Sequence, residues 1–132
     1  PSYQDVIQEV FTFLQERVLT LIRAGVNPSN IVVDPGFGFG KTFDHNLALL
    51  GNLNKFRALG HPILVGLSRK AMLGAITNKE DPLDRLGSSI ASVIFAVTQG
   101  AEIVRVHDVN ETKDAILAWQ YFSEAMHAES EQ

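Results

Sequence analysis

The sequence has no cysteine among its 132 residues, and only one Trp, two Tyr and two Met. Without Cys there can be no disulfide framework, thiolate metal site or cysteine nucleophile. That composition fits a reducing compartment, and a cytoplasmic location is expected. No apolar run approaches the roughly 18 residues of a membrane span. The first residues, Pro-Ser-Tyr-Gln-Asp, carry neither a basic region nor an apolar signal core. An excess of positive charge is also missing: 11 Lys+Arg face 15 Asp+Glu, a net charge of −4. This balance argues against nucleic acid as a partner. What is plentiful is apolar residue, 45% of the chain. That is enough to bury a real core and excludes disorder.

Apolar periodicity divides the chain into alternating helices and short strands. Val6, Val10, Leu14, Val18, Leu21 and Ile22 predict an amphipathic helix over 5–24, closed by Gly25. Ile31-Val32-Val33 reads as a buried strand ending at Asp34-Pro35. A glycine-rich loop follows to Lys41. Asp44 is the expected cap of a second helix through Leu47, Leu50, Leu53, Phe56 and Leu59, closed by Gly60. Ile63-Leu64-Val65 is the second strand, running into Gly66-Leu67-Ser68-Arg69-Lys70, and 78–81 is a polar turn. Pro82 opens a third helix that reaches Gly100. Ile103 to His107 is the third strand, and Asn110 caps the last helix, which carries Ile116, Trp119 and Phe122. The expected fold class is α/β, with three parallel strands and four helices, helix first. Strands at 31–33, 63–65 and 103–107, separated by helices, suit βαβ units with right-handed crossovers.

Asp34, Lys70, Arg105 and His107 all fall at the C-terminal ends of predicted strands, the edge where α/β folds bind ligands. Alternation puts Arg105 and His107 on one strand face and Val104 and Val106 on the other, under helices.

Gly36-Phe37-Gly38-Phe39-Gly40-Lys41-Thr42 superficially matches a phosphate loop. A G-x-x-x-x-G-K-[ST] loop needs Gly at position 35, where Pro35 stands; a G-x-G-x-x-G fingerprint needs Gly where Lys41 stands. A plain flexible loop and a lid that covers an aromatic ligand with Phe37 and Phe39 both remain open. Asp34 is either a cap or ion-pair carboxylate, or an acceptor for two N–H donors of a flat heterocycle. Lys70 is either solvated or placed for a ligand carbonyl or ring nitrogen. Arg69 reads as an ordinary surface charge or a secondary anion contact. Arg105 and His107 make an anion clamp; the alternative is an ion pair of Arg105 with Glu102 or Asp108 beside a structural His. His45, His61 and His127 show no metal-ligand spacing, and no Ser-His-Asp signature is present. Trp119, Tyr121 and Phe122 read as core or interface.

Taken together, three segments resemble bacterial dihydropteroate synthases. They are Val33-Asp34-Pro35-Gly36-Phe37-Gly38-Phe39-Gly40-Lys41, Val65-Gly66-Leu67-Ser68-Arg69-Lys70, and Ile103-Val104-Arg105-Val106-His107-Asp108-Val109. Their order and spacing match as well. The resemblance implies a TIM barrel of eight strands and roughly 250 residues. This chain would be its C-terminal half, a single partial domain over 1–132, and the absent initiator Met fits an excised piece.

The implied reaction joins 6-hydroxymethyl-7,8-dihydropterin pyrophosphate to p-aminobenzoate, which sulfonamides mimic, to give dihydropteroate and pyrophosphate for folate biosynthesis. By resemblance, Asp34 binds the amino-pyrimidine edge, and Lys70 the ring polar atoms. Arg105 lies over the pterin and, with His107, holds pyrophosphate, so Lys70, Arg105 and His107 are the expected catalytic set. Gly38 and Phe39, with Ser68 near them, are expected in substrate binding, Phe39 and Ser68 at the p-aminobenzoate pocket. Ala71 stands where relatives often carry Ser, which leaves that contact to backbone N–H groups. Mg²⁺ is implied for the whole enzyme with ligands outside this chain, as are a homodimer through late helices and inactivity of the piece alone. Two other readings stay open: a related methyltetrahydrofolate methyltransferase, and a non-catalytic half-barrel that assembles with a partner.

Overall fold

The computed structural model describes residues 3–38 and 41–130. Helix α1 (Tyr3–Arg23) ends as its glycine dictates. Gly25 takes φ +99°, and the N–H groups of Gly25 and Val26 donate to the carbonyls of Ile22 and Leu21 at 3.0 Å. Helix α2 (Phe43–Gly51) is capped by Thr42, not Asp44: Thr42 Oγ1 accepts the His45 N–H at 3.1 Å. Asp44 instead sits in the first turn, where its charge faces the helix N-terminus. Thr42→Ala is expected to lower stability by about 1 kcal/mol, read as a shift in the urea midpoint.

The predicted second helix breaks in two. Asn52 turns its side-chain N–H₂ onto the Ala48 carbonyl, and the chain tightens into a 3₁₀ segment, Leu53–Leu59. Gly60 closes it at φ +78°.

Strand β1 (Ile63–Val65) pairs in parallel with β2 (Ala101–Val104). Ile63 faces Ala101 while Leu64 faces Ile103, so Glu102 bulges out of register. The expected first strand, at 31–33, is reduced to a single parallel bridge, Val33 to Ile63. Ile31 is spent closing the Pro28–Asn30 turn, and Pro35 follows at once, leaving one residue to pair. The last strand also stops earlier than expected. Arg105 N–H still reaches the Val65 carbonyl at 2.9 Å, but His107 N–H leaves the ladder for Ser68 Oγ.

Between them lies a helix that periodicity missed, α3 (Ala71–Thr77), ended by Asn78 at φ +56°. Seven residues give too short a window to carry a period. Pro82 opens a 3₁₀ turn capped by Asp81 rather than the helix itself; α4 (Leu86–Thr98) starts after Arg85. Helix α5 (Val109–Ser130) begins one residue before the expected cap Asn110, with Asp108 O accepting from Thr112 N–H. The described residues thus form five α-helices and a small parallel sheet, rather than four helices and three strands.

Helices α1 and α2 and the 3₁₀ segment pack over one sheet face, where Leu49, Leu53 and Phe56 are fully buried beside Ile63 and Val65. The opposite face is bare: Val32 is 45% and Ile103 40% exposed. No helix among the described residues is long and apolar enough to cross a membrane.

Candidate functional site

Each strand delivers its polar residues at the C-terminal end. After β1 the chain runs Gly66-Leu67-Ser68-Arg69-Lys70 and is fixed from three sides. Arg69 adopts φ +59°, unusual for a residue with a side chain. Its N–H donates to Ser89 Oγ at 2.9 Å, its carbonyl accepts from Arg85 Nη1 at 2.8 Å, and its guanidinium pairs with Asp108 at 3.0 Å. Arg69 is therefore a built-in tie between this loop and the start of α5, not a free surface charge. The tie also consumes Asp108, one of the two carboxylates considered for Arg105.

This clamped turn aims Lys70. Its Nζ donates to the Phe37 carbonyl at 2.9 Å and crosses the Cα of Gly38, where a Cβ would sit 3.5 Å away. Gly38, at φ +107°, in turn donates its N–H to the buried Asn46 side chain at 3.1 Å. Lys70, Gly38, Phe37, Ala71, Lys41, Phe43 and Met72 line a largely apolar cavity of about 500 Å³ between the glycine loop, α2 and α3.

Ser68 does not line that cavity. It is buried, and its Oγ lies 3.0 Å from His107 Nδ1 and 3.3 Å from the His107 backbone N. Arg105 lies flat across Gly66, with its Nη2 2.5 Å from where a Cβ would be. Arg105 has no ion pair with any other described residue, so its charge is available to a ligand. Ile103, Arg105 and His107 are exposed, while Val104 and Val106 face α5, as alternation predicts.

Asp34 stands apart from this group. Its Oδ1 accepts the Gly36 N–H at 2.8 Å, and it lines a second hollow of about 400 Å³ against α1, with Lys41 shared between the two. Phe39 lies outside the described residues. Sequence reasoning missed Arg85, Ser89 and Asn46, which hold the loops rather than present themselves to a ligand. One signal was available: Gly74 in a helix interior, where a glycine needs a reason.

Residues 1–107 match the family model of pterin binding enzymes. The chain is 48% identical over 121 residues to the dihydropteroate synthase of Haemophilus influenzae, covering 91% of this chain and 43% of that protein. A dihydropteroate synthase from Xanthomonas albilineans, solved in complex with 7,8-dihydropteroate, superposes with a TM-score of 0.90 at 43% identity, over 93% of this chain and 47% of that one. The Thermus thermophilus enzyme in complex with 4-aminobenzoate gives 0.85 at 48% identity, over 91% of this chain and 48% of that one. The chain thus spans a little under half the length of the relatives it matches. Sequence and fold agree across nearly all of its residues, and the chain belongs to the pterin-binding enzyme family.

Proposed function

We propose that this chain is the C-terminal half of the single TIM-barrel domain of a dihydropteroate synthase. The Val33 segment, β1 and β2 would then be three of the eight barrel strands. The bare sheet face of Val32, Leu64 and Ile103 supports this reading, since an inward barrel face is apolar and is covered only when the barrel closes.

The reaction forms a C–N bond between the arylamine of p-aminobenzoate and the pterin methylene. The methylene C–O bond breaks, pyrophosphate departs with the bonding pair, and the amine loses one proton. Negative charge grows on the leaving group, so a site needs preorganised donors there. The observation that carries the proposal is that Lys70, Arg105 and His107 all follow the C-terminal ends of two adjacent parallel strands, with no ion pair to Arg105 among the described residues. In this reading Arg105 and His107 hold the pyrophosphate, Lys70 binds ring polar atoms of the pterin, and Asp34 receives its amino-pyrimidine edge. The apolar cavity beside Phe37 and Gly38 takes the aminobenzoate ring.

Mg²⁺ is the expected cofactor, but this chain's residues do not fit a site for it alone. The described residues contain no group of three His, Asp or Glu able to hold a metal ion, and the residues that follow β1 and β2 include the cationic Lys70 and Arg105. Its ligands would come from outside this chain. Exposed Leu117, Tyr121 and Phe122 on α5 support a homodimer, and the lack of Cys supports a cytoplasmic setting.

The purified chain is expected to give no dihydropteroate, and to give it when combined with the N-terminal half of a relative's barrel. Turnover by the chain alone would sink the half-site reading. Binding of methyltetrahydrofolate but not pyrophosphate by the assembled barrel would replace the transferase with a methyltransferase.

A further inference from the structure

We infer that Ser68 is a positioning residue that fixes the tautomer of His107, leaving the ring's proton on Nε2. Ser68 is 7% exposed, so its hydroxyl has to find partners within the protein. Two groups lie within reach of its oxygen: the His107 backbone N at 3.3 Å and His107 Nδ1 at 3.0 Å. The backbone N–H can only donate, so it takes a lone pair of the serine oxygen. The hydroxyl hydrogen then needs an acceptor, and among the described residues Nδ1 is the one in range. Were Nδ1 protonated, both neighbours would donate to Ser68, and a buried hydroxyl hydrogen would be stranded. Nδ1 therefore accepts, and a neutral His107 carries its hydrogen on Nε2. No described residue bonds Nε2, which opens onto the exposed edge that also bears Arg105.

The consequence is a division of labour. Arg105 supplies charge to an anionic oxygen, while His107 supplies a neutral N–H whose direction is set by Ser68. This use of Nε2–H rests on the transferase reading; the tautomer rests on the Ser68 geometry alone.

Long-range ¹H–¹⁵N correlation of the imidazole rings tests it on the ¹⁵N-labelled chain. The sample is held at about pH 8.5, above the ordinary imidazole range near 6.5. His107 is assigned by the loss of its signals in His107→Gln. The expected result is a single Nε2–H tautomer for His107, whereas His45 and His61, whose rings bond no described residue, average between two. In Ser68→Ala, His107 should average as they do. An Nδ1–H pattern, or averaging of His107 already in the native chain, would overturn the inference. Should Ser68→Ala not fold, the comparison with His45 and His61 still decides. Added inorganic pyrophosphate should shift the Nε2 resonance. A locked tautomer that pyrophosphate leaves unmoved would overturn the anion-holding role while leaving the tautomer standing.

Discussion

Arg85→Ala is expected to lower the unfolding free energy by about 3 kcal/mol, measured by urea denaturation. Arg85 is buried at 9% exposure and donates from Nη1, Nε and Nη2 to the carbonyls of Arg69, Lys79 and Glu80, at 2.8, 2.9 and 2.8 Å. Hydrogen bonds from a charged donor contribute about 1.5–3 kcal/mol each. Lys79 and Glu80 lie on an exposed turn where water can replace the arginine, so the net loss is well below the sum of three.

The neighbouring Gly74 gives this prediction its sharper form. A Cβ on Gly74 would lie 2.5 Å from both Nε and Nη2 of Arg85. The guanidinium cannot retreat, because all three of its nitrogens are bonded. Gly74→Ala should therefore destabilise the native protein by about 2 kcal/mol, as overpacking does. In an Arg85→Ala background the obstacle is gone, and the same substitution should stabilise by up to about 1 kcal/mol through helix propensity alone. A double-mutant cycle in which Gly74→Ala keeps the same sign in both backgrounds refutes the packing argument.

What the sequence disclosed follows from which signals are local. Strand ends were legible because β-branched runs stop at Asp34-Pro35 and Gly66, and the polar residues after them align at one edge. Helix closure was legible wherever a glycine takes positive φ, as at Gly25 and Gly60. The ties across the site were not, since they join residues far apart in the chain. Asp108, three residues from Arg105 and so a local candidate for its partner, pairs instead with Arg69 on another loop. Resemblance puts Ser68 near the aminobenzoate pocket, yet its hydroxyl turns to His107. The strands are shorter than their apolar runs for a related reason. Apolar pattern says that 31–33 can pair, but pairing also needs neighbours, and Val33 meets only β1.

Gly66→Ala should leave the fold nearly intact and disable the site. The added Cβ would lie 2.5 Å from Nη2 of Arg105 and 3.0 Å from Cζ, the same crowding that Gly74 faces. The outcome differs because the neighbour differs. Arg105 is exposed, without an ion pair among the described residues, so its side chain can swing into solvent at little expense. Gly66 does not need positive φ, so the backbone accepts alanine. Stability should change by less than about 1 kcal/mol. On the proposed function, displacing the guanidinium removes a preorganised charge from the place where the leaving pyrophosphate would sit. Loss of one such donor typically reduces turnover by about 10²–10³-fold. The assembled barrel carrying Gly66→Ala should show that drop in kcat/KM for dihydropteroate formation, together with weaker pyrophosphate binding. Arg105→Ala should produce a similar drop, and adding Gly66→Ala to it should produce no further loss, since both changes remove the same interaction. Additive losses would mean that Gly66 acts through its own backbone, and kcat/KM within about twofold of native would mean that Arg105 does not need the surface Gly66 provides.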